Sequence, residues 1–326
     1  MSEPILGIDV SKNTLDGSIV VSGKPRYRQF ANSTEGWRAL IAWLEQLKSG
    51  RVHACLETTG HYSFGVALAL HEAGHTVSLI NPAQIKHFGR TKLGRNKTDK
   101  ADCVLIREYG AMFVPPAWTP PSPALRRLCE LRTMRSGFIT SRVEWQNRLN
   151  SGMQEVTATE LAKTTIAHFD FQIAAIDKAI AETIDGDDDL RKKRALLLSI
   201  DGVGETLAAT ILAELPGSGS ISTSAQAVAY AGLNPRQYQS GTSVNQPTRI
   251  SKIGNANLRT ALFMPAMVAM RYNKAIAVFI KRLRERGRLS GKQLVIAAMR
   301  KLLVICFGVL KSGKAFDAEI AMPKGV

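Results

Sequence analysis

The chain has 326 residues, 45% of them hydrophobic and 21% charged, with a formal net charge of +16 and a pI near 9.9. The length is enough for two or three domains with a full core, and the composition is ordinary for a soluble globular protein. The charge is uneven: Arg236 to Val326 carry 17 Lys and Arg against three acids, whereas the residues before them carry 26 basic and 24 acidic groups. A basic region joined to a near-neutral one points to a polyanion, and to nucleic acid before membrane.

In chain order, "ILGIDV" reads as a buried strand, "GSIVVSG" as a second and "PRYRQF" as a third. "STEGWRALIAWLEQL" is an amphipathic helix capped by Ser33 or Thr34, with Trp37, Leu40, Ile41 and Leu44 along one stripe. The strand "VHACLE", a helix around "SFGVALALHEAG", the strand "TVSLIN" and a helix opening near Thr98 follow. Three consecutive strands and then alternating units predict a mixed sheet with helices on its faces. "FVPPAWTPPSP" holds five of the 13 prolines and marks a boundary.

Beyond it, "ALRRLCELRTMRSGFITSRVEWQNRL" is polar and helical, and a second helix carries Ile166, Phe169, Ile173, Ile176 and Ile180 at coiled-coil spacing. Joined near "SGMQEV", the two predict an antiparallel hairpin, serving either as a dimerisation arm or as ordinary bundle packing. In "LLLSIDGVGETLAATILAEL", Gly202 and Gly204 permit a tight turn between two helices, a helix-hairpin-helix pattern whose amides approach a nucleic-acid backbone. The remainder mixes helices with the loop "NPRQYQSGTSVNQPTRISKIGNANLR".

Four widely spaced cysteines, Cys55, Cys103, Cys129 and Cys306, argue against a disulfide framework or a zinc site and for buried thiols in a reducing cytoplasm. His71 and His75 read as helix-end residues. Glu3 and Asp9 interrupt the first apolar stretch, so no signal peptide is expected, and Arg300 and Lys301 break the apolar run near the end, so no membrane span is expected.

Four carboxylates stand out. Asp9 sits in an apolar strand, where an ionised acid is costly unless compensated. Glu57 ends another strand, and Asp99 and Asp102 lie three apart at the start of a helix, where they also complement the helix dipole. Acids converging at one sheet edge cannot all stay ionised unless divalent cations sit among them, and oxygen-only ligation favours Mg²⁺ or Mn²⁺. Two such ions suit phosphoryl transfer, with Lys92, Arg95 and Lys97 holding substrate phosphates nearby. Asp16, in "TLDGSIV", competes for a place in this site, but its position before Gly17 reads as that of a turn residue. Arg236, Arg249, Lys252, Arg259 and the cluster Lys281, Arg282 and Arg284 are phosphate contacts or solvated faces.

The motifs "GIDVSKNTLD", "CLETTGHY", "LINPAQIKHFG", "NKTDKADCVLI", "IDGVGETLAATILAE", "AGLNPRQYQSGTS" and "RISKIGNANLRTALFMPAM" together resemble the DEDD-type transposases of the insertion-sequence one-ten family, the bridge-RNA-guided recombinases. The resemblance implies an RNase H-like (RuvC-like) α/β domain over residues 1–122, a helical coiled-coil insertion over 123–190, and a mainly helical transposase domain over 191–326. It implies that Asp9, Glu57, Asp99 and Asp102 bind Mg²⁺ and that Ser240, in "YQSG", attacks DNA to form a covalent intermediate. Thr242 and Ser243 are fallback hydroxyls, and "SVNQPT" departs from the more basic segment expected there. The implied partners are donor and target DNA, a noncoding bridge RNA and further copies of the chain as a dimer of dimers, with no membrane, in a bacterial nucleoid-associated cytoplasmic setting. The rival reading is a RuvC-like structure-selective endonuclease that uses water as nucleophile.

Overall fold

The computed structural model describes residues 3–58, 60, 62–92, 98–215, 221–240 and 244–321, with only the backbone described for 237–240, 244–248 and 321. The chain divides into two compact units, residues 1–120 and 121–326.

The first unit opens with β1 (Ile5–Val10), β2 (Thr14–Val21) and β3 (Lys24–Ala31), an antiparallel meander. Helix α1 (Thr34–Gln46) follows, N-capped by Ser33, whose side chain accepts from the Gly36 amide. β4 (His53–Glu57) runs parallel to β1, α2 (Tyr62–Glu72) crosses over, and β5 (Thr76–Ile80) runs parallel to β4. The sheet order is β3-β2-β1-β4-β5. Edge strand β3 exposes Lys24, Arg26 and Arg28, charges that discourage edge-to-edge pairing.

Two helices complete the unit. The short α3 (Pro82–Thr91) is absent from the sequence expectation although Asn81 caps it and Pro82 occupies its first position. Helix α4 (Asp99–Phe113) is capped by Thr98, whose hydroxyl accepts from the Ala101 amide at 3.2 Å. Alternation divides the strands cleanly. Leu6, Ile8, Val10, Leu15, Ile19 and Leu56 pack on one face with Leu40, Trp43, Leu44, Val66 and Leu70 from α1 and α2. Cys55, Ile80, Ile85 and Ile106 pack on the other, beneath α4.

The second unit begins with α5 (Pro123–Asn150) and α6 (Val156–Asp185). Arg135 with Asp177 and Arg142 with Asp170 are ion pairs whose numbering runs in opposite senses, so the hairpin is antiparallel. Its base does not stand apart. Leu128, Ile176, Ile180 and Ile184 share one core with α7 (Asp188–Leu198), α8 (Glu205–Glu214), α9 (Ser224–Tyr230), α10 (Ala256–Tyr272), α11 (Lys274–Glu285) and α12 (Gly291–Ser312). A last short helix, α13 (Ala318–Ala321), follows. By length and composition α12 could cross a membrane, yet Leu294, Ala298, Leu302, Leu303 and Cys306 place it at the centre of this core.

Two sequence expectations need correction. The stretch after Asn234 is no simple loop: β6 (Pro235–Ser240) and β7 (Val244–Ile250) pair antiparallel as a hairpin. Its polar composition and Pro247, which lacks an amide donor, hide the strand signal. Asp16 is no turn residue either. Gly17 is extended within β2, and the turn lies at Ser11–Asn13, where the Ser11 amide donates to Thr14 O at 2.9 Å.

Candidate active site

The acids gather because of strand register. Asp9 and Asp16 are directly opposed across β1 and β2, and Gly7, two residues earlier on the same face, opposes Ser18 on β2 and Cys55 on β4. Ile8 pairs with Leu56, so Glu57 follows beside Asp9 on that face. This face is the one α4 covers.

Glycines set how closely. A Cβ at Gly7 would lie 2.3 Å from the Cys103 carbonyl oxygen and 2.4 Å from the Arg107 nitrogen, so the α4 backbone rests on bare β1 backbone. On the helix side, a Cβ at Gly110 would lie 2.5 Å from Cys55 Sγ. Arg107 Nη1 donates to Ser18 Oγ at 2.8 Å and ties helix to sheet. The first turn of α4, bearing Asp99 and Asp102, is thereby held over the end of β1 that bears Asp9.

Electrostatics report the convergence. Burial comes first, and then the charges of Asp102, Glu57, Asp99 and Asp16 push the Asp9 carboxyl up from 3.8 to about 6. All four sequence-predicted acids therefore share one field. Among the described residues no three His, Cys, Asp or Glu side chains are gathered closely enough to hold an ion unaided. The donor set, all carboxylate oxygen, nevertheless fits a hard divalent cation, and a cation would offset the repulsion that raises Asp9.

Asp16, the competitor for the site, is its fifth acid and stands in a strand rather than a turn. Only 2% exposed, it accepts the Tyr27 hydroxyl at 2.5 Å and the Gln29 amide at 3.2 Å. The Asp16 bond is the first cause holding the Tyr27 phenol up to about 12. Lys100, between Asp99 and Asp102, sits over the Tyr27 ring at 5.3 Å. The usable signal was the alternation of Leu15, Gly17 and Ile19 with Asp16 and Ser18. Cys55 and Cys103 are pushed up to about 12, first by burial, which keeps both as thiols.

The remaining candidates are placed as follows. Lys92 ends α3, pairs with Glu108 and lies 5.2 Å from the Phe88 ring centroid. Arg95 and Lys97 lie outside the described residues, as do Thr242 and Ser243. Ser240 ends β6 with Val244 as its cross-strand partner, and its side chain is likewise outside the description. Arg236 and Arg249 are cross-strand neighbours and exposed. Lys252 is exposed with φ +55.

Arg259 is engaged internally: Nη1 donates to Ala231 O at 2.8 Å and to Gly254 O and Asn255 O at 3.3 Å. On α11, Lys281 and Arg284 are exposed and Arg282 is half-buried. Gly202 has φ +97, and a Cβ there would lie 2.7 Å from Ala269 Cβ, so this glycine serves helix packing. Gly204 is the residue before α8 and has open space at its Cβ position.

Comparison with known proteins places these features in a wider set. Residues 6–158 match a profile of DEDD transposases of the IS110 type, described as "Transposase", and residues 194–281 match "Transposase IS116/IS110/IS902 family". A "Pilin gene-inverting protein" of Moraxella bovis is 31% identical over 324 residues, covering 98% of this chain and 99% of that protein. The protein of the same name from Moraxella lacunata matches to the same extent. An "Insertion element IS110 uncharacterized 43.6 kDa protein" of Streptomyces coelicolor is 32% identical over 131 residues, 40% of this chain and 31% of that protein. Likeness to a solved structure is low: "T. thermophilus RuvC in complex with Holliday junction substrate" gives a TM-score of 0.28 at 19% identity, covering 35% of this chain and 95% of that one.

Proposed function

Because the chain belongs to the IS110 family of DEDD transposases and is a DNA transposase/recombinase, we propose that it cuts and rejoins DNA through a covalent serine intermediate, assisted by divalent cations and guided by RNA. The observation that carries this reading is Asp9, raised to about 6 within the field of Asp102, Glu57, Asp99 and Asp16. The strand order β3-β2-β1-β4-β5, antiparallel on one side of β1 and parallel on the other, supports an RNase H-like assignment. The Moraxella relatives are named for inverting a pilin gene, and a DNA rearrangement of that kind is our reading here.

Asp9, Glu57, Asp99 and Asp102 would hold Mg²⁺ or Mn²⁺, whose charge, when bound, stabilises the attacking and leaving oxygens of phosphoryl transfer. Asp16, satisfied by Tyr27 and Gln29, adds negative charge beside Asp9 rather than a free ligand. Ser240 Oγ would give its proton to water and attack a DNA phosphate, forming an Oγ–P bond while the P–O bond to the strand's own oxygen breaks and that oxygen takes up a proton from water. Its backbone ends the first strand of a two-stranded hairpin, opposite Val244. The basic carboxy-terminal region would bind donor and target DNA and a noncoding bridge RNA, with the active form a dimer of dimers.

The test is adduct trapping. Protein, a candidate guide RNA from the flanking DNA, Mg²⁺ and labelled target DNA are mixed and then denatured on a gel. A slow, protease-sensitive DNA band that is lost in Ser240→Ala is expected. Cleavage without that band, equal in Ser240→Ala, would replace the serine mechanism with a water-using nuclease.

A further inference from the structure

The face that carries the acids is open on its β3 side. Successive rungs of the sheet set Gly7, Ser18 and Tyr27 in one row and Asp9, Asp16 and Gln29 in the next, on the face that α4 covers. Helix α4 rests mainly on β1 and β2 and is tied to the first row by Arg107 and Ser18. Tyr27, on the edge strand, is therefore left 40% exposed. Its hydroxyl is nevertheless fixed, donating to the buried Asp16 carboxylate at 2.5 Å. The ring is a held platform at the rim of the acid site.

Lys100 uses that platform. It is turned about 100° round α4 from Asp99, and its ammonium lies 5.3 Å from the Tyr27 ring centroid. Among the described residues it is ion-paired with no carboxylate, although Asp99 and Asp102 flank it on its own helix. Arg107, the other cation of α4, is engaged by Ser18. A lysine lodged among the acids would neutralise them and compete with a divalent cation. Here the ring, enriched by a hydroxyl bonded to a carboxylate, draws the ammonium to one side. The acids stay open, and an exposed, unspent positive charge stands at their edge.

Resting on the reading of the four acids as the cation site for cutting DNA, we propose that Lys100 holds the DNA backbone phosphate next to the one that is cut, with Tyr27, fixed by Asp16, as its positioning residue. A strand that brings one phosphate to the acids carries its neighbour past the rim, and the β3 rim offers an unpaired cation for it. An ammonium is a point charge with three donors on a flexible stem. It can follow a phosphate whose path shifts as the strand is cut and rejoined. The partner is DNA, because the phosphates that pass the acids belong to the strand being cut.

The experiment is fluorescence anisotropy with the full chain and a labelled DNA duplex in Ca²⁺ over a salt series, beside thermal melting with and without Mn²⁺. Lys100→Ala should reduce the slope of log affinity against log salt by about one, and Lys100→Arg should restore it. The rise in melting temperature on adding Mn²⁺ should survive in Lys100→Ala, since the acids are intact. Tyr27→Leu should weaken both DNA binding and the Mn²⁺ response, because the released ammonium falls among the acids. Adding Lys100→Ala to Tyr27→Leu should bring the Mn²⁺ response back, a rescue that a merely structural ring would not give. An unchanged slope in Lys100→Ala would overturn the proposal. So would a Mn²⁺ response that is intact in Tyr27→Leu or is not rescued in the double variant. A Mn²⁺ response that survives Asp9→Asn would overturn the acid-site reading, and the proposal with it.

Discussion

Asp9 and Asp16 face each other across β1 and β2, two carboxylates on one side of a sheet, in unlike states. Asp16 is buried and satisfied by the Tyr27 hydroxyl and the Gln29 amide. Asp9 is pushed up to about 6 by burial and by its acidic neighbours. The pair shows where positive charge is wanted: at Asp9, not Asp16.

Asp9→Asn should stabilise the cation-free protein at neutral pH. With the folded carboxyl at about 6 against 3.8 unfolded, the folded chain holds its proton more tightly. The group thus favours folding below about pH 4, and that contribution is lost as pH rises towards 6. The Asn variant lacks this loss. Allowing for solvent at a half-buried group, its advantage at pH 7.5 is on the order of 1 kcal/mol. Thermal melting from pH 4 to 8 should show the two curves separating as pH rises. Added Mn²⁺ should raise the melting temperature of the wild type and not of Asp9→Asn.

Gly7→Ala and Gly17→Ala make an internal comparison. The Gly7 methyl would overlap α4 backbone at 2.3 Å, whereas at Gly17 the nearest atom stands at 3.5 Å. We expect Gly7→Ala to cost about 3 kcal/mol or more, because backbone cannot step aside, and to displace Asp99 and Asp102. Gly17→Ala should be neutral or slightly stabilising. Chemical denaturation measures both, and equal losses would show that α4 does not rest on β1.

Gly202→Ala and Gly204→Ala should likewise part company. The first meets both a φ of +97 and the α10 backbone, and should cost about 2–3 kcal/mol. The second should cost under about 1 kcal/mol and be read instead in DNA affinity.

Arg259→Ala should act on stability, since its guanidinium holds three backbone carbonyls together; melting should fall by the equivalent of about 1–3 kcal/mol. Lys281→Ala should leave melting unchanged and, if Lys281 meets a phosphate, reduce the slope of log affinity against log salt by about one. The reverse pattern would exchange the two roles.

The four acids were legible because strand alternation and helix-start chemistry are local. Asp9 stands out in an apolar run, and Thr98 announces the helix that carries Asp99 and Asp102. Helix α3 was equally local but overlooked, its signal being a single Asn–Pro step. What could not be read depends on partners distant in sequence. Gly7 matters only because Cys103 and Arg107 lie above it, and Asp16 becomes part of the site only once β2 is paired with β1. The β6–β7 hairpin has too few apolar residues to declare a buried face, so pairing rather than burial defines it.

Helix α4 runs without a break from Asp99 to Phe113 and so acts as a ruler. At about 1.5 Å per residue it sets the acid-bearing turn roughly 20 Å from Phe113, a spacing no single substitution can alter. One residue inserted after Arg107 would turn everything beyond it by about 100°, swinging Gly110 away from Cys55 and the Phe113 ring away from Phe88 on α3. Seven inserted residues would nearly restore the phase while lengthening the ruler by about 10 Å. Drift of this helix's length during evolution is therefore penalised in steps of whole turns, whereas its surface sequence stays free to change.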